Sequence, residues 1–177
     1  MSDTSPELEF SLFLHPSTLG DQEHHVDTVL ADDVCVRLAK RFGVSEVSRV
    51  RVQLAIRREG QGLRAVGAVT GSVIQPCALS LEPVTTEIYA AIDHSFQPES
   101  YIQSLGLDPD DLEADIPELM SADGAEIGGV CLEEFALEIP LYPRADGVAL
   151  TSDAAAELGL EAPASPFAVL ETLKKNS

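Results

Sequence analysis

The chain has 177 residues, with 30 Asp and Glu against 11 Lys and Arg, a formal charge of −19 and a pI near 4.3. Its 45% hydrophobic content suffices for a single-domain core and excludes a wholly disordered acidic protein, while 5% aromatics and no Trp call for a core of Val, Leu, Ile and Ala. No apolar run approaches the roughly 18 residues of a membrane span, and Met1 to Glu7 lack the basic start and apolar stretch of a secretory leader, so a cytoplasmic protein is expected.

Glu9 to Leu14 reads as a first strand, with Phe10, Leu12 and Leu14 on one face and His15-Pro16 as its stop. Gly20 to His25 is polar and reads as a loop. Ala31 to Phe42 has helical spacing in Val34, Leu38, Ala39 and Phe42, acids in its first turn and Gly43 at its end. Val47 to Arg57 alternates: Val50, Val52, Leu54 and Ile56 point one way, Arg49, Arg51, Gln53 and Arg57 the other. A turn at Glu59 to Gly62 returns the chain through Leu63 to Gln75, predicting an antiparallel hairpin.

Pro76 to Ser80 breaks that strand, and Val84 to Phe96 supplies another. Residues 97–126 are acidic and punctuated by Pro98, Pro109 and Pro117, which predicts a long surface excursion with a helical turn near Asp108 to Leu112. Ile127 to Leu137 is a helix candidate despite two glycines. The expected fold class is α+β: a curved antiparallel sheet packed by two or three helices, with a partly closed barrel as the alternative. One domain would span residues 8–147, followed by an acidic linker at 148–164 and a C-terminal helix at 165–174 capped by Ser165-Pro166.

Charge is unevenly distributed. Between Arg37 and Arg64 eight bases face two acids, net +6, whereas Leu81 to Glu161 holds nineteen acids and only Arg144, net −18. Arg49, Arg51, Arg57, Arg58 and Arg64 could form a guanidinium stripe on the hairpin, since cross-strand neighbours sit about 5 Å apart. Such a stripe suits phosphate, which arginine binds bidentately; alternatively it is neutralised within the fold, by the acidic excursion.

Nothing in the chain resembles a catalytic constellation. There is no Walker loop, G-x-G-x-x-G or H-E-x-x-H, and Asp110-Asp111 and Glu133-Glu134 read as solvated charge. His24-His25, with Asp21, Glu23 and Asp27 nearby, reads as a solvated loop rather than a metal site, and His15 and His94 lack a nucleophilic partner. Cys35, Cys77 and Cys131 are odd in number and widely spaced, which predicts buried small side chains for at least two of them rather than a disulfide framework, and a zinc site built from them alone would lack a fourth ligand. No enzyme, cofactor or metal is expected.

Three stretches, in order, resemble the YceD family of bacterial and plastid proteins, which are implicated in accumulation of large-subunit (23S) ribosomal RNA. They are Val73-Ile74-Gln75-Pro76-Cys77-Ala78-Leu79-Ser80-Leu81-Glu82-Pro83-Val84; Glu126-Ile127-Gly128-Gly129-Val130 leading to Leu137, Pro140 and Pro143; and Ser165-Pro166-Phe167-Ala168-Val169-Leu170 with Leu173-Lys174-Lys175. The family carries a C-x-x-C that suggests metal. Here Cys77 falls on its first cysteine and Ser80 on its second, so zinc is not carried over.

The resemblance implies a non-enzymatic role in ribosome biogenesis, and two readings follow. In one, Arg49, Arg51, Arg57, Arg58 and Arg64 contact large-subunit ribosomal RNA, against the repulsion of a chain at −19. In the other, an acidic adaptor holds a basic large-subunit ribosomal protein through Asp110, Asp111, Glu113 and Asp115, with Phe167 and Leu170 as further contact candidates.

Overall fold

Three long consecutive strands organise the molecule. A computed structural model describes residues 10–20, 22–106 and 116–148. Strands β3 (Glu46–Glu59), β4 (Gly62–Pro76) and β5 (Pro83–Pro98) form an antiparallel meander. The β3–β4 turn pairs Glu59 with Gly62, and Gly60 takes φ 61, a left-handed conformation that costs glycine nothing. A separate strand β2 (His24–Val29) pairs with β3, and a short strand β6 (Glu118–Met120) runs parallel to the end of β5. The sheet order is β2-β3-β4-β5-β6. It is therefore a mixed, open sheet in an α+β fold, not closed into the barrel that stood as the alternative.

Strict alternation along the meander decides which face is buried. Val52, Leu54 and Ile56 of β3, Leu63, Ala65, Val69 and Val73 of β4, and Ile88, Ala90, Ile92 and Phe96 of β5 all lie in the core. Two helices cover this inner face. Helix α1 (Asp32–Phe42) buries Cys35, Leu38 and Ala39 and ends at Gly43 with φ 69. Helix α3 (Ile127–Leu137) buries Ile127, Cys131, Leu132 and Phe135, and its start is capped by the Glu126 carboxylate, which accepts from the Gly128 N–H at 3.0 Å. The rings of Phe42 and Phe135 meet at 6.2 Å between centroids, joining the two helices. Gly71 of β4 lies directly beneath Phe135, where a Cβ would come within 2.9 Å of the ring.

Three expectations change. Among the described residues of the first predicted strand, 10–14, only Phe13–Leu14 forms a strand; as β1 it pairs with β7 (Ala125–Glu126) in a small separate sheet. The place beside β3 goes to β2, whose first two residues, His24 and His25, fall in the predicted polar loop and whose other four carry no prediction. Only Val26 of its residues is even partly buried, so it shows no hydrophobic period. Part of the expected acidic excursion is regular structure: the end of β5, helix α2 (Glu99–Ser104), β6 and β7. The expected helical turn at 108–112, the linker and the C-terminal helix lie outside the described residues. All three cysteines are buried, where the sequence predicts burial for at least two.

Because Phe135 closes the layer between both helices and the sheet, Phe135→Ala should lower the unfolding free energy by about 3–5 kcal/mol in urea denaturation. Leu137→Ala, two residues on but exposed, should change it by no more than about 0.5 kcal/mol.

Candidate functional site

On the outer face of the sheet Arg51, Gln53, Val66 and Tyr89 are exposed, while at the hairpin-turn end Tyr101 of α2, Leu105 just after it and Pro117 line a hollow with Arg64, Ser95 and Gln97. Direct pairing places Arg57 opposite Arg64, and Arg51 opposite Thr70, which in turn lies opposite Tyr89. A bulge between Ser48 and Arg51 interrupts the β3–β4 register, and Arg49 sits there at φ 57.

Arg49, Arg51, Arg57 and Arg64 lie on the outer face. Arg58, expected with them, stands instead opposite buried Leu63, in phase with Ile56 and out of phase with the other four. Arg49, Arg51 and Arg64 are charge-paired within the sheet. The Arg51 guanidinium donates to both carboxylate oxygens of Asp27 on β2, at 2.7 Å each, and Gln53 adds a third hydrogen bond at 3.3 Å. Arg64 donates to both oxygens of Asp93 on β5, at 2.8 and 3.0 Å, and lies 3.6 Å from Glu59. Arg49 pairs with Glu87 of β5. These hydrogen bonds hold the Asp27 and Asp93 carboxyls below the ordinary carboxylate value. The neutralising acids thus come from β2, β5 and the hairpin turn, rather than from the acidic excursion. Arg57 and Arg58 make no ion pair among the described residues. Tyr89, 66% exposed, adds an aromatic ring to this face that sequence reading did not place there.

A second constellation forms where the β4–β5 connection meets the segment after α3. Cys77 Sγ accepts backbone N–H groups from Leu79, Ser80 and Ala145, each at 3.4 Å. The Ala78 N–H donates to the Pro143 carbonyl at 2.8 Å, and Cys77 N–H to the Glu82 carbonyl at 2.7 Å. Hydrogen bonding from the Ser80 hydroxyl, then from these backbone donors, pulls the Cys77 thiol down to about 6. Burial pushes Cys131 the other way, to about 12. The resemblance raises a metal at this turn, but Ser80 supplies no thiolate. Among the described residues no three His, Cys, Asp or Glu side chains gather to hold an ion. These residues do not fit a metal centre.

Of the two histidines read as lacking a nucleophilic partner, His15 has Ser17 Oγ 2.6 Å from its Nδ1, while the partners of His94 are carboxylates. The His94 Nε2 lies 3.0 Å from Glu134 Oε1 and its Nδ1 3.6 Å from Glu118 Oε1, tying β5 to α3 and β6. Glu134 is therefore engaged, and only Glu133 of that pair is solvated charge. No serine or cysteine nucleophile joins the cluster in any hydrogen bond of the described residues. The adaptor candidates Asp110, Asp111, Glu113, Asp115, Phe167 and Leu170 lie outside the described residues.

No helix among the described residues is long and apolar enough to cross a membrane. A family model described as "Large ribosomal RNA subunit accumulation protein YceD" matches residues 65–174. No curated protein and no solved structure matches the chain.

The Cys77 thiolate stabilises the fold fully above the ordinary thiol value of 9.0, and this contribution is lost as pH falls through about 6. Thiolate ultraviolet absorbance should therefore titrate near pH 6 in the wild type and lose that step in Cys77→Ser. The gap in thermal midpoint between the two chains should narrow from alkaline to acid pH.

Proposed function

The chain belongs to the YceD family, and on that premise we propose that it supports large-subunit ribosomal RNA as a non-enzymatic adaptor, holding a basic large-subunit protein rather than gripping RNA itself. The pairing of Arg49, Arg51 and Arg64 with neighbouring carboxylates carries this reading. A phosphate backbone gains most of its binding free energy from uncompensated cations that displace its counterions. Arginines already facing carboxylates offer little of that.

The overall charge points the same way. The described residues hold seventeen acids against nine bases, and the whole chain is at −19. A field of that sign repels RNA and draws in a basic protein, raising its association rate. The arginine candidates also fall outside the matched range 65–174, whereas Asp110, Asp111, Glu113, Asp115, Phe167 and Leu170 fall inside it. In this reading the adaptor masks the charge of its client until delivery, and RNA accumulation depends on the client's supply.

One observation favours the RNA reading. Arg57 and Arg58 lack ion-pair partners among the described residues, and Tyr89 could stack an unpaired base on the face that carries Arg57.

Immobilised full-length chain should retain an identifiable basic large-subunit protein from RNase-treated lysate. Neutralising Asp110, Asp111, Glu113 and Asp115 to their amides should weaken that capture roughly tenfold at low salt and much less at high salt. Capture that vanishes with RNase, or that ignores both salt and these substitutions, would contradict the adaptor reading.

A further inference from the structure

Hydrophobic side chains on a monomer surface are unremarkable singly, but several large ones gathered at one end call for a partner. The end of α3 and the segment after it expose Leu137 at 77%, Leu141 at 87% and Tyr142 at 79%. Leu81, at 76% exposure, stands on the neighbouring connection. The two segments are held side by side by the Ala78–Pro143 hydrogen bond and by the Ala145 N–H on Cys77 Sγ.

Leu81 is unusual in a second respect. It adopts φ 62, a left-handed conformation that is unfavourable for a residue with a branched side chain. Its N–H donates to the Cys77 carbonyl at 3.0 Å, so the same turn that encloses the thiol fixes Leu81 in this posture. A leucine that is both backbone-strained and solvent-exposed gains nothing from the fold of the isolated chain.

Acids frame these side chains. Glu133 precedes Leu137 by one helical turn, Glu138 follows it, Glu82 follows Leu81, and Asp146 lies beyond Tyr142; all four are exposed, against Arg144 as the only base in these two segments. An apolar centre with an acidic rim complements a surface that is apolar at its centre and basic around it.

We propose that Leu81, Leu137, Leu141 and Tyr142 form the surface on which the basic large-subunit protein docks. This rests on the adaptor reading and adds its contact site. The turn around Cys77 presents the ridge, the apolar side chains supply close contact, and the surrounding carboxylates set the preference for a basic partner. Unlike the candidates at 110–115, this site depends on contact as well as charge, so its binding persists partly at high salt.

The test uses the full-length chain and the RNA-free protein mixture salt-extracted from purified large ribosomal subunits. The retained protein is identified by mass and its Kd measured by titration. Leu141→Ser with Tyr142→Ser should weaken binding at least tenfold, with an unchanged thermal midpoint. Leu81→Asn should weaken it several-fold while tolerating the left-handed backbone. Val36→Ser, which removes an exposed apolar side chain from α1, should bind as wild type.

Retention of a basic protein at equal affinity by all variants would overturn the docking site and leave the adaptor reading standing. Retention of no large-subunit protein by the wild type would overturn both. Tighter binding by Phe167→Asp with Leu170→Asp would make the chain's own C-terminal segment the occupant of the ridge and overturn the proposal. Binding of deproteinised large-subunit RNA that is lost with the ridge substitutions would overturn it in favour of RNA.

Discussion

The antiparallel register of β4 against β3 and β5 is the constraint on which the rest of the molecule depends. Side chains alternate with a period of two, so one register sends Leu54, Ile56, Leu63, Ala65, Ile92 and Phe96 into a common core. A slip of one residue would drive the arginines into that core. The same register brings Asp93 within bidentate reach of Arg64 on the outer face, and the β2–β3 pairing does the same for Asp27 and Arg51. Apolar burial therefore fixes the electrostatics, rather than the reverse.

That coupling changes what the arginine face can do. Exposed ion pairs add little to stability and are weakened by salt. Their consequence is a face whose cations are largely compensated. The acid excess elsewhere then dominates the field of the chain, and this is the ground for proposing a basic partner rather than a polyanion. The Cys77 turn plays a corresponding part at the proposed docking surface. Backbone donors and Ser80 surround one thiolate and join the β4–β5 connection to the segment after α3 without any metal ligand set.

The hairpin, both major helices and their stops were legible because Val50 to Ile56 alternates cleanly and Gly43 follows an amphipathic run. Strand β2 was not, since an edge strand with one partly buried residue leaves no period to read. Strand β6 was hidden for a different reason: three residues pairing in parallel with a distant strand carry no local signal. Arg49, Arg51 and Arg57 could be placed on one face from sequence, but the partners of the arginines could not. Asp27 is 24 residues from Arg51 and Asp93 is 29 from Arg64, and only the strand order makes them neighbours. Leu81 likewise gave no warning, because its backbone conformation comes from the tertiary closure of the Cys77 turn.

The most direct measurement is the binding of deproteinised large-subunit ribosomal RNA to the purified full-length chain at low salt, read by filter retention across a salt series. With the arginine face internally neutralised and the chain at −19, retention should stay at background at every salt concentration. Saturable retention that falls steeply with salt and disappears with Arg57→Glu and Arg58→Glu would contradict the account.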